Sequence, residues 1–172
     1  MNRIRKLHII GFFFTVLAGT LLHFIYQWFG GNIAAVFGAV NESTWEHLKL
    51  LFWPMTFFAV LEYFLYGREI DGFVPIKVAS VLLGMLAIVA LFYTYTGILG
   101  FHVGVIDIAI FVIAVYLSYC FSYKQIQEPE KFWSLPLVKA ASVILLSALV
   151  ICFAFFTFRP PHISLFAVPY HE

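Results

Sequence analysis

Five long runs of apolar residues alternate with short polar segments along the chain. Each run is close to the length of about 20 residues that an α-helix needs to cross the hydrocarbon core of a bilayer. The pattern therefore predicts an all-α integral membrane protein, a helical bundle of about five transmembrane helices that forms a single membrane domain over residues 1–172. The predicted spans are residues 7–29, 42–66, 76–96, 105–123 and 137–158, with an interfacial or re-entrant piece at 30–41 and an irregular tail at 159–172.

The first predicted span carries small or polar residues at every fourth position: Gly11, Thr15, Gly19, His23 and Gln27. Small residues let a neighbouring helix approach closely, and polar residues avoid lipid. We therefore expect this face to point into the bundle and to aim its last two members, the histidine and the glutamine, at protein near the far end of the span.

Basic residues lie on one side of the predicted spans. The loops at 30–40 and 97–104 contain no lysine or arginine, whereas the opposite side carries Arg3, Arg5, Lys6, Arg68, Lys77, Lys124 and Lys131. The positive-inside rule then predicts a cytoplasmic N-terminus and an extracytoplasmic C-terminus.

Composition narrows the classes of function. The net charge is +1 and no basic patch is visible, so we expect no binding of nucleic acid. The expected partners are the lipid bilayer and a small-molecule, lipid or ion ligand, and the sequence leaves an oligomer open. Cys120 and Cys152 lie at different predicted depths, so we expect no disulfide between them.

The polar segment 41–47 directly precedes the second apolar run and contains Glu42, Glu46 and His47. A charged group costs roughly 2.5–3.5 kcal/mol at the bilayer centre and less near the interface, so ionisable residues at a span are by default functional candidates. The predicted topology collects most such residues on the extracytoplasmic side, and they are His23, Glu42, Glu46, His47, His102, Asp107, His162, His171 and Glu172.

These residues belong to a longer pattern of conspicuous positions. It reads His23-x-x-Tyr26-x-Trp28-x-Gly30-x-Asn32, then Asn41-Glu42-Ser43-x-Trp45-Glu46-His47-Leu48-Lys49, then Glu62-Tyr63. The pattern resembles an uncharacterised family, a domain of unknown function, of small polytopic bacterial membrane proteins that carry an Asn-Glu-Ser-x-Trp-Glu-His motif. The resemblance covers nearly the whole chain and implies a multi-pass protein of the bacterial cytoplasmic membrane. It implies no activity.

Glutamate and histidine supply the oxygen and nitrogen ligands that suit zinc or another divalent metal, which is the expected cofactor. A catalytic zinc takes three protein ligands and keeps one position open. Three ligands could come from His23, His47 and one of Glu42 or Glu46, with His162 as a further candidate metal ligand. The candidate catalytic residues are Glu42 and Glu46. Neighbouring helical residues point about 100° apart, so Glu46 and His47 cannot easily share one ion.

The leading hypothesis is therefore a polar, metal-binding site at the extracytoplasmic face, in a small metal-dependent hydrolase. Two alternatives stay open: a small proton- or ion-coupled transporter, and a non-catalytic membrane binding or assembly protein. Whether the protein is an enzyme is open as well.

Some of the same residues also fit structural roles. Ser43 and Glu46 match a capping box, in which the glutamate reaches back to the serine amide, so Glu46 is either a cap or a site residue. We expect Glu62 to pair with Arg68. The remaining expectations place Asp107 as a cap of the fourth span and His102 in a hydrated turn.

Overall fold

The computed structural model describes residues 3–168, which are largely helical and contain no strand. Five helices are long and apolar enough to cross a membrane. In chain order, with one short helix included, the helices are α1 (Arg3–Phe29), α2 (Gly31–Phe37), α3 (Thr44–Leu65), α4 (Phe73–Leu99), α5 (Gly104–Gln127) and α6 (Pro136–Phe158). This confirms the all-α class and the prediction of five helices that are long and apolar enough to span a membrane.

Helix ends follow local backbone chemistry. Helix α4 begins and ends beyond the predicted span 76–96, and glycines flank it at both ends. Gly72 and Gly100 adopt φ of +82°, a left-handed conformation that glycine takes without strain. Pro75 lies in the first turn of α4, where its missing amide hydrogen costs no helical bond.

The core of the bundle surrounds α3, which packs against α1 and α4, while α5 packs against α4 and α1. Aromatic side chains join α6 to this centre. The ring of Phe153 is fully buried and lies 4.6 Å from Trp45 and 4.8 Å from Phe52, measured between ring centroids.

The short helix α2 lies in the segment predicted to be interfacial or re-entrant. Two side chains of α3 fix it: the Lys49 ammonium donates to the Ala35 carbonyl at 2.7 Å, and the Trp53 indole donates to the Val36 carbonyl at 3.0 Å. At its other end Gly30 and Gly31 have φ of +60° and +80°, and open space surrounds both.

The small-residue face of α1 points inward, since Gly11, Thr15 and Gly19 are buried. His23 is half-buried, whereas Gln27 is exposed, contrary to the expectation for it. The reason is geometric, because four residues turn about 400° and each step of the stripe therefore drifts about 40° around the helix.

Gly19→Leu is expected to destabilise the bundle by about 1–3 kcal/mol, the usual cost of overpacking. A Cβ atom at Gly19 would lie 2.5 Å from the Leu50 carbonyl oxygen and 2.7 Å from the ring of Phe111. Thermal unfolding in detergent measures the effect. Phe13→Trp is the control, because Phe13 is 64% exposed on another face of α1, and equal tolerance at the two positions would contradict the close packing.

Candidate metal centre

The loop before α3 is held by its own polar side chains. The Ser43 hydroxyl accepts a hydrogen bond from the Glu46 amide at 3.4 Å and caps the helix, which therefore begins at Thr44. The Asn41 side-chain oxygen accepts from the Ser43 amide at 2.9 Å. Glu42 lies between these two fixed residues, so the loop positions its carboxylate at the start of α3.

Three side chains from different segments converge there: His23 near the end of α1, Glu42 in the loop and His47 in the first turn of α3. The Glu42 carboxylate lies 3.7 Å from His23 Nε2 and 3.4 Å from His47 Nε2. The two imidazole centroids are 5.3 Å apart, and one ligand atom from each of the three residues lies within 4.8 Å of the others. Two ligands of one zinc ion span about 4 Å at most, so small side-chain rotations bring these atoms to ligand distance.

Hydrogen bonding sets the orientation of one of the imidazoles. His47 Nδ1 lies 2.9 Å from the Ser43 carbonyl oxygen, which can only accept, so Nδ1 carries the proton. The other nitrogen, Nε2, faces Glu42 and His23, and in the neutral ring this atom would offer its lone pair to a metal ion. Metal-binding histidines commonly have this arrangement, in which a backbone carbonyl fixes the tautomer.

The three residues line one wall of a cavity of about 350 Å³ between α1, α3, α4 and α5. His102 and Asp107 line the same cavity, and His102 Nδ1 lies 3.1 Å from the Asp107 carboxylate. The Tyr95 hydroxyl donates to the other oxygen of that carboxylate and accepts from the Val103 amide at 3.0 Å. The cavity therefore has a second polar wall, built at the junction of α4 and α5.

One expectation about this junction was wrong. Asp107 does not cap α5, because Val103 occupies the N-cap position and the carboxylate accepts from Tyr95 and His102 instead. His102 lies in the turn between α4 and α5, as expected, and its side chain lines the cavity and is 19% exposed. The predicted topology had already placed His102 and Asp107 at the same end of the bundle as His23 and His47. This shared position could have predicted that all four residues line one site.

The candidate catalytic residue Glu46 lies outside the cluster and the cavity lining. Its buried carboxylate contacts the Lys49 ammonium at 2.5 Å and accepts from the Val40 amide at 2.9 Å. The cause is the 100° rotation between neighbouring helical residues, which turns Glu46 into the bundle when His47 faces the cavity. The capping box is only half formed, since the amide of Ser43 bonds to Asn41.

The candidate ligand His162 is exposed and also lies apart from the cluster. It follows the end of α6, in a segment held at the bundle by Phe166, whose ring centroid is 4.8 Å from that of Trp45. This packing fixes the segment against the α3–α6 side of the bundle. His171 and Glu172 lie outside the described residues.

A second buried polar group lies at the opposite end of the bundle. Glu62 pairs with Lys77 of α4 at 2.5 Å, accepts from the Tyr66 hydroxyl at 2.6 Å, and lies 3.6 Å from His8 of α1. Tyr66 is the donor in this hydrogen bond, because the carboxylate can only accept. The expected pairing of Glu62 with Arg68 is wrong, because the Arg68 guanidinium lies over the ring of Phe64 at 4.4 Å.

Residues 1–169 match the model of a family of unknown function, DUF6512. The chain belongs to this family. No curated protein and no solved structure matched the chain. The resemblance to an uncharacterised family is thus confirmed.

Proposed function

We propose that the protein is a small metal-dependent hydrolase of the bacterial cytoplasmic membrane, with its centre at the extracytoplasmic end of the bundle. The observation that carries this proposal is the convergence of His23, Glu42 and His47 at the wall of a cavity. The basic residues at the other end of the bundle support the orientation.

The donor set fits a catalytic zinc site. Two imidazoles and one carboxylate are the ligands of one well-known class of zinc hydrolases, in which a fourth position stays open to water or substrate. A divalent ion held by these three side chains would supply Lewis-acid activation of a water molecule and of a carbonyl or phosphoryl oxygen. The volume of about 350 Å³ lies within the range of about 300–1,000 Å³ that is typical of small-molecule sites.

The second polar wall fits a role in proton transfer. The Asp107 carboxylate accepts the proton on Nδ1 of His102 and so fixes the tautomer of this ring, and Tyr95 holds the carboxylate in place. A histidine held by a carboxylate in this way would accept a proton and return it to a leaving group. In this proposal one wall of the cavity binds the metal and the other supplies acid–base chemistry.

The test is a zinc titration of detergent-purified protein that has first been stripped with a chelator. We expect one zinc ion per chain in the wild type, with loss of tight binding in His23→Ala and in His47→Ala, because a site of three ligands usually fails when one is removed. His162→Ala is the matched control and should bind like the wild type. Hydrolysis of ester, amide and phosphoester substrates is then measured with and without zinc. Absence of zinc binding by the folded wild type would overturn the proposal.

The two alternatives predict other outcomes. A proton- or ion-coupled transporter would give charge-dependent uptake in liposomes, and a non-catalytic assembly protein would show neither zinc-dependent hydrolysis nor uptake. Packing in the middle of the bundle argues against transport, since buried Thr15 and Tyr119 join α1 to α5 there through a hydrogen bond of 3.0 Å.

A further inference from the structure

The cavity at the candidate metal centre changes from polar to apolar with depth. His23, His47 and Asp107 line its upper part. The floor, about one helical turn deeper, is lined by apolar residues that include Leu50 and Ile110. A ligand that fits this gradient has a polar group at one end and a hydrocarbon portion at the other.

The cavity also reaches the side of the bundle between α1 and α5. Thr20 and Phe24 of α1 and Ile108 of α5 line it, and all three are exposed. Deeper in the bundle, hydrogen bonds join the same two helices, and one of them connects His8 with Ser122. The gap is therefore confined to the end of the bundle that carries the candidate metal centre.

Aromatic residues at the end of α1 indicate how deep this gap lies in the bilayer. Tyr26 and Trp28 are exposed at the end of α1, and such aromatic residues concentrate at the headgroup level of a bilayer. Phe24 lies four residues before Trp28, which corresponds to about 6 Å along the helix. The gap between α1 and α5 thus faces the upper acyl chains of one leaflet rather than bulk water.

We propose that the substrate of this site is a membrane lipid, whose acyl chain enters sideways from the bilayer between α1 and α5 and occupies the apolar floor. This inference rests on the proposed hydrolase for its chemistry and on the gap for its route. Hydrolysis of an ester bond near the headgroup would consume one water. The oxygen of this water becomes bonded to the acyl or phosphoryl group as the ester bond breaks, and the leaving alcohol takes one of the protons of the water.

The test uses the full chain in nanodiscs of phosphatidylcholine and phosphatidylglycerol that contain a trace of phospholipid with a diazirine on its acyl chain. After irradiation, mass spectrometry maps the labelled residues. We expect labelling at Leu50 and Ile110, which are only 6% and 7% exposed and which surrounding lipid cannot reach from outside. Leu51, fully buried away from the cavity, is the internal control and should stay unlabelled.

A matched pair of variants tests the route of entry. Ile108→Trp narrows the gap and is expected to lower labelling of Leu50 and Ile110 several-fold, whereas Ile113→Trp on the outer surface of the same helix should leave it unchanged. If Ile108→Trp does not fold, Thr20→Trp narrows the gap from α1. Unchanged labelling in a folded, narrowed variant would overturn the route.

Zinc titration of the same samples separates this inference from the proposed function. Stoichiometric zinc without label on Leu50 or Ile110 would overturn the lipid substrate and leave the metal centre standing. Label on both residues without zinc binding would overturn the hydrolase and retain the lipid cavity.

Discussion

Glu46→Gln is expected to destabilise the protein by about 3–5 kcal/mol, although glutamine has almost the same size and can still serve in a helix cap. The reason is Lys49, whose side chain is 0% exposed and lies 2.5 Å from the Glu46 carboxylate. Removing the negative charge leaves the ammonium buried with only neutral acceptors, the Ala35 carbonyl and the Thr157 hydroxyl. Thermal or denaturant unfolding in detergent measures the loss.

The double variant Glu46→Gln with Lys49→Met is the control for this effect. Replacing both members of a buried ion pair is often close to neutral, so the double variant should recover much of the lost stability. Zinc binding by the double variant should match the wild type, because Glu46 lies outside the metal cluster. A silent Glu46→Gln, or a variant that loses zinc while keeping its stability, would contradict the structural role assigned to this carboxylate.

Lys77→Met is expected to have an effect of the same size, about 3–5 kcal/mol, at the other end of the bundle. The Glu62 carboxylate is 1% exposed, and its ion pair with Lys77 balances its charge. Without the lysine, the carboxylate still accepts the hydrogen bond from the Tyr66 hydroxyl but has lost its nearest cation. The measurement is the unfolding midpoint of the purified variant.

Two comparisons sharpen this prediction. Glu62→Gln combined with Lys77→Met should be more stable than Lys77→Met alone, since no charge is then left unpaired. Lys139→Met removes the cation of an ion pair with Asp71 in which both side chains are well exposed, and it should change stability little. Equal effects of Lys77→Met and Lys139→Met would show that burial of an ion pair does not determine how much stability is lost when its cation is removed.

The sequence was sufficient to predict the five long helices, because the length of an apolar run determines whether a helix can cross a bilayer. It also placed His23 and His47 at one level, since the chain reverses direction between α1 and α3. Glu42 was one of the two glutamates that the sequence offered as a third ligand, and it is the one that the structure places beside both imidazoles. The exact convergence depends on the loop conformation that Ser43 and Asn41 impose, and no periodicity encodes that conformation.

Partners across helices were harder to predict. Lys49 is three residues after Glu46, so their ion pair was visible as a local helical spacing. The pairing of Glu62 with Lys77 depends instead on how α3 and α4 rotate against each other, which is decided by packing. A local rule favoured Arg68 because it is nearer in sequence, yet its guanidinium covers aromatic rings at the end of α3.

The Gly30–Gly31 link has a practical consequence for work on intact cells. Its backbone is exposed and an added atom at either glycine meets nothing within 4 Å, so a short glycine-flanked epitope inserted there should be tolerated. Such an epitope would project from the same end of the bundle as Glu42. An antibody applied to unpermeabilised spheroplasts would then report which side of the membrane this end occupies, without any alteration to the transmembrane helices.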